Sequence, residues 1–102
     1  AIFAINDMCA LGVYAAIRDA GLTVGEDVSV VGFDDIPLAD LVDPPLTTVR
    51  QSLPEMAAAA FRYLRARDTT DGPGRGQSLL VRPDLVVRRS TAPPPSSSAQ
   101  AQ

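Results

Sequence analysis

The sequence predicts an α/β fold in which covering helices pack on a parallel sheet. Two apolar runs, residues 1–5 (AIFAI) and 28–33 (VSVVGF), have the length of buried strands. Between them, residues 8–20 have helical length and Ala, Leu and Met content, and Gly21 stands where a helix usually ends. Two strands joined by a helical crossover run parallel. Neither strand shows polar alternation, so we expect both faces of the sheet to be covered.

The first predicted helix is apolar on more than one side. Ala10, Val13 and Ile17 form a stripe that is expected to face the sheet, and Leu11 and Tyr14 form a neighbouring pair. An apolar surface wider than a sheet can cover indicates either a second packing partner or burial inside a larger domain. The helix alone leaves both possibilities open.

The rest of the chain reads as short regular elements separated by loops. The predicted elements are a proline-bounded loop with one helical turn at Leu38–Leu41, a short β-branched stretch at 46–51, a helix at 53–66, a Gly/Pro loop at 69–77, two short strands within 79–91 split by Pro83 and Asp84, and a disordered tail at 92–102. Ser52 and Glu55 form a capping-box pattern at the start of the second helix.

Composition excludes several classes of chemistry. The 102 residues suffice for one small domain and hold one cysteine, no histidine and no lysine. An internal disulfide, a Cys/His zinc cluster and lysine-based catalysis are therefore excluded. The first half is acidic, which argues against nucleic-acid binding there, and the scattered arginines of the second half are expected on solvated faces. No apolar run reaches the length of a membrane span, so we expect a soluble protein.

Polar residues follow the first two predicted strands. Asn6 and Asp7 come after the first, and Asp34 and Asp35 after the second. Because parallel strands bring their carboxyl ends to one edge, where α/β sheets bind ligands, Asn6 and Asp34 are expected to be neighbours there. An amide and a carboxylate together can bind sugar hydroxyls, although turn roles for both residues remain open. Asp7 is predicted to be the helix cap and Asp35 a turn residue.

Enzyme interpretations of the acidic pair fail on the residues. A phosphoacceptor domain would need a lysine, the stretch FDDIP is not DxD, and NDMCALG lacks the GxGxxG of a dinucleotide site. The sequence therefore predicts no catalytic residue, no metal site and no cofactor.

Five motifs, IFAIND, ALG, VSVVGFDD, PPLTTVRQ and LVVRRST, occur in an order and spacing that resemble the C-terminal part of the lactose-repressor/galactose-repressor family. The resemblance runs from Ala1 to about Thr91. It implies an incomplete portion of a two-lobed, type I periplasmic-binding-protein-like domain. Residues 1–91 would form the C-terminal part of an effector-binding and dimerisation domain, with 1–51 in one lobe and 52–80 crossing to the other.

The resemblance also implies a function. It is that of a cytoplasmic, ligand-responsive transcriptional regulator, by family habit a repressor, which binds a sugar or nucleobase as a homodimer. Operator DNA would be bound through an N-terminal helix-turn-helix that this chain lacks. The implied effector contacts are Asn6, Asp34 and Gln51, and the implied dimer contacts are Leu11, Tyr14 and Val42.

Two other functions use the same fold and remain open at this stage. One is a sugar-binding protein of a transport system, which would carry a signal peptide, and the other is a stand-alone interaction domain. Because the resemblance covers only part of the family's domain, we expect exposed apolar surface and either marginal stability or self-association of the chain on its own.

Overall fold

The computed structural model describes residues 1–66 and 78–94. In chain order the elements are β1 (Ile2–Phe3), α1 (Asp7–Asp19), β2 (Val30–Asp34), α2 (Leu38–Leu41), β3 (Thr47–Arg50), α3 (Leu53–Ala66) and β4 (Asp84–Val86). The chain divides into a first unit, Ala1–Arg50 with the residues from Leu85 onward, and a second unit, Gln51–Asp84. The predicted loop at 69–77 and the predicted tail from residue 95 lie outside the described residues.

The described strands form one sheet in the order β1-β2-β3-β4. β1 pairs with β2 in parallel, with Ile2 opposite Val30, and β2 pairs with β3 in parallel, with Asp34 opposite Arg50 at the carboxyl end. The prediction of a parallel sheet with a helical crossover is confirmed. α1 packs against β2 and covers one face.

The core of the first unit is small and mostly aliphatic. Its fully or nearly buried members are Ala4, Ala10, Tyr14, Ile17, Val30, Ala39 and Leu46. On α1 the buried face consists of Ala10, Tyr14 and Ile17, at the i, i+4, i+7 spacing of one helical face. Val13, the third residue of the predicted stripe, is half-buried and also packs against this core. Tyr14 takes the inner position because its ring fills the core while its hydroxyl donates to the Pro44 carbonyl at 2.9 Å.

The far side of the sheet is not covered at β1. Phe3 is 68% exposed, and Ile5 after the strand is 82% exposed. The expectation of a sheet covered on both faces is therefore wrong for β1, which lies at one end of the strand order with β2 beside it. The exposed apolar surface expected from the sequence is present here.

Asn6, and not Asp7, caps α1. Asn6 has extended backbone (φ −157°), and its side-chain oxygen accepts a hydrogen bond from the Cys9 N–H at 2.8 Å. The predicted Asp7 cap is wrong because Asp7 is already the first helical residue and its side chain points inward. At the other end, Gly21 (φ +73°) terminates the helix as predicted, with the Leu22 N–H bonded to the Ile17 carbonyl at 3.0 Å.

Asp7 is fully buried and joins three segments of the first unit. One carboxylate oxygen accepts from the Thr48 hydroxyl of β3 at 2.5 Å, and the other accepts from the Ile36 N–H, in the loop after β2, at 2.9 Å. Gly32 of β2 provides the space. A Cβ at that position would overlap the Asp7 carboxylate and lie 3.0 Å from Leu46 Cδ2.

Ser90 is a second buried polar residue and lies between two strands. Its hydroxyl donates to the Val30 carbonyl at 2.6 Å and accepts from the Thr47 N–H at 2.8 Å. Its own carbonyl accepts from the Val30 N–H at 2.8 Å. Ser90 therefore supplies hydrogen-bond partners from its backbone and its side chain to the first residues of β2 and β3.

Elements after β2 follow the prediction except in the segment 79–83. The helical turn Leu38–Leu41 and the helix α3 are confirmed, and the β-branched stretch at 46–51 contains the strand β3. Of the two predicted strands in 79–91, the described residues contain one, β4, which begins at Asp84. Leu79 and Leu80 are exposed and Pro83 has no N–H, so that stretch has neither burial nor a full set of donors to support a strand. Within the second unit, α3 exposes the apolar side chains of Met56, Phe61 and Leu64.

A Gly32→Ala substitution should destabilise the protein by about 1–3 kcal/mol, because the added methyl overpacks the site against the Asp7 carboxylate. Thermal or chemical unfolding measures this change. Gly12→Ala is the matched control. Gly12 lies in α1 with open space around its Cβ position, so alanine there should stabilise by up to about 1 kcal/mol. Equal effects of the two substitutions would contradict the packing described.

Candidate functional site

Asn6 and Asp34 lie at the carboxyl edge of neighbouring parallel strands. Asn6 follows β1, and Asp34 is the last residue of β2. The Asp7–Ile36 hydrogen bond ties the residue after Asn6 to the loop after Asp34. The side-chain oxygen of Asn6 accepts a hydrogen bond from the Cys9 N–H, so the NH₂ group of Asn6 is the part that can donate to a ligand. Both residues are half-buried.

The turn after β2 contains two consecutive residues in the left-handed half of backbone space. Asp34 has φ +116° and Asp35 has φ +58°. Non-glycine residues adopt such values at a cost of roughly 1–3 kcal/mol each, and aspartate is among those that tolerate them. Asp35 is thus a turn residue, as predicted. The positive φ of Asp34 was not predicted. The strand ends at Asp34, and the turn follows directly.

The Asp35 side chain has a role that sequence reasoning missed. One carboxylate oxygen accepts from Arg50 Nε at 2.6 Å and the other from Arg88 Nη2 at 2.7 Å. Arg88 is 15% exposed, and it also donates to the Leu46 carbonyl at 2.8 Å and lies 3.3 Å from Asp40. The expectation that the second-half arginines lie on solvated faces is wrong for Arg88. Its burial depends on Asp35, 53 residues away, which no local pattern reveals.

These contacts set the protonation of Asp35. Burial of the carboxyl to 8% exposure raises its pKa, but the hydrogen bonds and charges of Arg50 and Arg88 outweigh burial and hold the pKa below its ordinary value. Asp35 is therefore ionised at neutral pH and acts as a fixed anion between two guanidinium groups.

The other predicted site residues occupy different surroundings. Gln51 is the first residue of the second unit and is half-buried. Leu11 and Val42 are half-buried in the first unit, and Val42 packs against the core. Tyr14 is almost fully buried in the core of the first unit, so of the predicted pair only Leu11 keeps partial exposure. Burial also raises the pKa of the Tyr14 hydroxyl.

An open groove of about 550 Å³ lies near the other end of α1, away from the carboxyl edge. Tyr14, Arg18, Glu26, Asp43 and Arg89 are among the residues that line it. Neither Asn6 nor Asp34 borders this groove, so it is separate from the candidate site.

Residues 1–91 match the family described as the periplasmic binding protein-like domain. The chain belongs to this family. Among periplasmic binding protein-like relatives, the HTH-type transcriptional regulator MalR of Streptomyces coelicolor is 48% identical over 95 residues, which cover 93% of this chain and 27% of MalR. The predicted resemblance to lactose-repressor/galactose-repressor regulators is confirmed.

Solved structures of periplasmic binding protein-like regulators match the fold as well. A dimeric Lac repressor with a C-terminal deletion gives a TM-score of 0.83 at 34% identity, over 90% of this chain and 33% of the repressor chain. A LacI family transcriptional regulator from Arthrobacter sp. FB24, solved in complex with lactose, gives a TM-score of 0.77 at 34% identity. The match covers 89% of this chain and 34% of the Arthrobacter chain. The chain thus spans about a quarter to a third of the length of these relatives.

Within residues 1–66 and 78–94, no helix has the length and apolar character that crossing a membrane requires.

An Asp35→Asn substitution should lower the free energy of unfolding at pH 7 and matter less in acid. The folded-state pKa of Asp35 lies below its unfolded value of about 4, so its ion pairs stabilise the protein above that value. This stabilisation is lost as the pH falls through the lowered folded-state pKa. Unfolding of both proteins in denaturant between pH 7 and pH 2 measures the difference.

The matched control is Asp40→Asn, because Asp40 also faces Arg88 but is 73% exposed. It should have little effect at any pH. A difference between wild type and Asp35→Asn that stayed constant from pH 7 to pH 2 would contradict the ionised pairing.

Proposed function

We propose that this chain is the effector-binding and dimerisation portion of a ligand-responsive transcriptional repressor. The observation that carries the proposal is that Asn6 follows β1 and Asp34 ends β2, at the carboxyl ends of two adjacent parallel strands, in a domain whose relatives are transcriptional regulators. Because the chain spans 27% of MalR, operator binding would reside in a helix-turn-helix outside these residues. We propose a cytoplasmic location for the whole protein, as suits a DNA-binding regulator, and neither catalysis nor a cofactor.

A sugar suits the candidate site best. The Asp34 carboxylate can accept hydroxyl protons, and the Asn6 NH₂ can donate to a hydroxyl oxygen. The Arthrobacter regulator was solved with lactose, which supports a sugar over a nucleobase. Gln51, the third predicted contact, begins the second unit and remains a prediction. The transport-protein alternative has no support among the relatives described, which are transcriptional regulators.

The response would be a shift between two arrangements of the intact regulator. Effector bound at the carboxyl edge would favour the arrangement to which it binds more tightly. The resulting change in DNA affinity is limited by the difference between the effector affinities of the two arrangements.

Dimerisation would use the outer surface of α1 and the loop before β3. Leu11 and Val42 are both half-buried in the single chain, so a partner could bury the remainder of each. Tyr14 would contribute from beneath, because its hydroxyl holds the Pro44 carbonyl of the same loop. The matched Lac repressor is dimeric, which supports this assignment.

Effector binding is tested by thermal shift of the intact protein with lactose, ribose and adenine as probes. A probe at a hundred times its Kd should stabilise wild type by about 2.7 kcal/mol. Asp34→Ala should abolish the response to that probe, because it removes the proposed acceptor. Asp40→Ala, a change at an exposed aspartate of the same unit, should leave the response intact.

Asn6→Ser separates capping from binding. Serine caps a helix about as well as asparagine, so the melting temperature without probe should hardly change. The proposed NH₂ donor is lost, so affinity for the probe should fall about tenfold or more. An Asn6→Ser protein that binds the probe as wild type does would exclude Asn6 as an effector contact.

The dimer surface is tested by sedimentation velocity over a concentration series. Leu11→Glu should shift the protein from dimer to monomer at micromolar concentration, because a carboxylate would be buried in the interface without a partner. Leu22→Glu is the control, since Leu22 is an exposed leucine beyond the other end of α1. Unchanged dimerisation of Leu11→Glu would place the interface elsewhere.

A further inference from the structure

The Asp35 carboxylate contacts both segments through which the chain leaves and re-enters the first unit. The outgoing segment, residues 50–53, starts at Arg50, which is the last residue of the first unit. The return segment, residues 84–88, re-enters the first unit at Leu85 and contains Arg88. Arg50 Nε lies 2.6 Å from Asp35 Oδ2, and Arg88 Nη2 lies 2.7 Å from Oδ1.

The return side of this link is fixed at several points. Arg88 Nη1 donates to the Leu46 carbonyl at 2.8 Å, and the Arg88 backbone N–H donates to the Thr47 hydroxyl at 2.9 Å. Asp35 is 8% exposed and Arg88 15%, so water screens this pair little. The Arg50 side chain is about half exposed, and its backbone is set by pairing with Asp34 in the β2–β3 register.

The carboxylate is also coupled to the turn that carries Asp34. The two residues are adjacent and both have positive φ, so a change in the backbone of Asp34 reorients Asp35. The Ile36 N–H, bound to buried Asp7, holds the other side of the turn at 2.9 Å. The turn is therefore held on one side by Asp7 and on the other by the two arginines that pair with Asp35.

We propose that Asp35 is a positioning residue that links the turn carrying Asp34 to both the outgoing and the return segment. Its role in the response to effector rests on the proposed function, whereas the link itself does not. Asp40 offers a contrast, because it pairs with Arg88 at 3.3 Å but is largely exposed, and its ion pair does not include Arg50.

Hydrogen exchange of the intact protein without effector tests the link. Asp35→Asn should accelerate amide exchange about tenfold in residues 50–53 and in residues 84–88 together, as both lose a charge-assisted hydrogen bond. Asp40→Asn should change either segment less than about twofold. Ile17→Val, a core change of modest cost, serves as a destabilised control that should not single out these segments.

Acceleration in one segment alone would overturn the proposal, because it would mean two unrelated ion pairs. Acceleration no greater in these two segments than in the rest of the first unit, as in Ile17→Val, would also overturn it, because Asp35 would then be a stabilising residue only.

A second measurement separates binding from response. The probe is whichever of lactose, ribose or adenine shifts the melting of wild type. Asp35→Asn should bind it with a Kd within about threefold of wild type, yet lose the probe-induced protection of residues 50–53 and 84–88. Full protection in Asp35→Asn, or loss of probe binding, would overturn the positioning role. If no probe binds wild type, the proposed function fails, while exchange without effector still decides the link.

Discussion

Asp7 buries a carboxylate where α1, β3 and the loop after β2 meet, and the arrangement of the carboxyl edge depends on it. A buried carboxylate is costly unless it is hydrogen-bonded, and here the Thr48 hydroxyl and the Ile36 N–H bind one oxygen each. These bonds set where α1 begins and therefore where Asn6 stands. They also hold the loop that follows Asp34. Gly32 leaves the space that the Asp7 carboxylate requires, so the residue types at position 32 in β2 and position 7 in α1 depend on each other.

Patterns that depend on near neighbours were predicted well, and those that depend on distant partners were not. The turn Leu38–Leu41, the helix 53–66 and the stop at Gly21 follow from local spacing and residue type. Asn6 and Asp7 are both good capping residues, and the choice between them is made by Thr48 and Ile36, 41 and 29 residues from Asp7. Sequence alone cannot supply that information.

The candidate site shows the same division. Parallel topology sufficed to bring Asn6 and Asp34 to one edge. The role of Asp35 was missed because its partners, Arg50 and Arg88, come from separate parts of the chain. Arg88 and Arg89 are adjacent and look alike in the sequence, yet Arg88 is largely buried and Arg89 is exposed. Hydrogen bonds to distant residues, Leu46, Thr47 and Asp35, hold Arg88 inward. The proposed ligand contact, Asp34, and the residue paired with both arginines, Asp35, are thus consecutive in one turn.

Ser90 has a consequence for how the molecule is assembled during synthesis. It bonds β2 to β3, yet it is 60 residues beyond Val30 and 43 beyond Thr47. At about 5–20 residues per second, the ribosome needs roughly 2–8 s to add the 40 residues between Arg50 and Ser90. During that interval β2 and β3 lack their last buried partner, and the nascent first unit exposes unpaired strand ends. The second unit emerges in between, so a chaperone or rapid folding of α3 would matter most in those seconds.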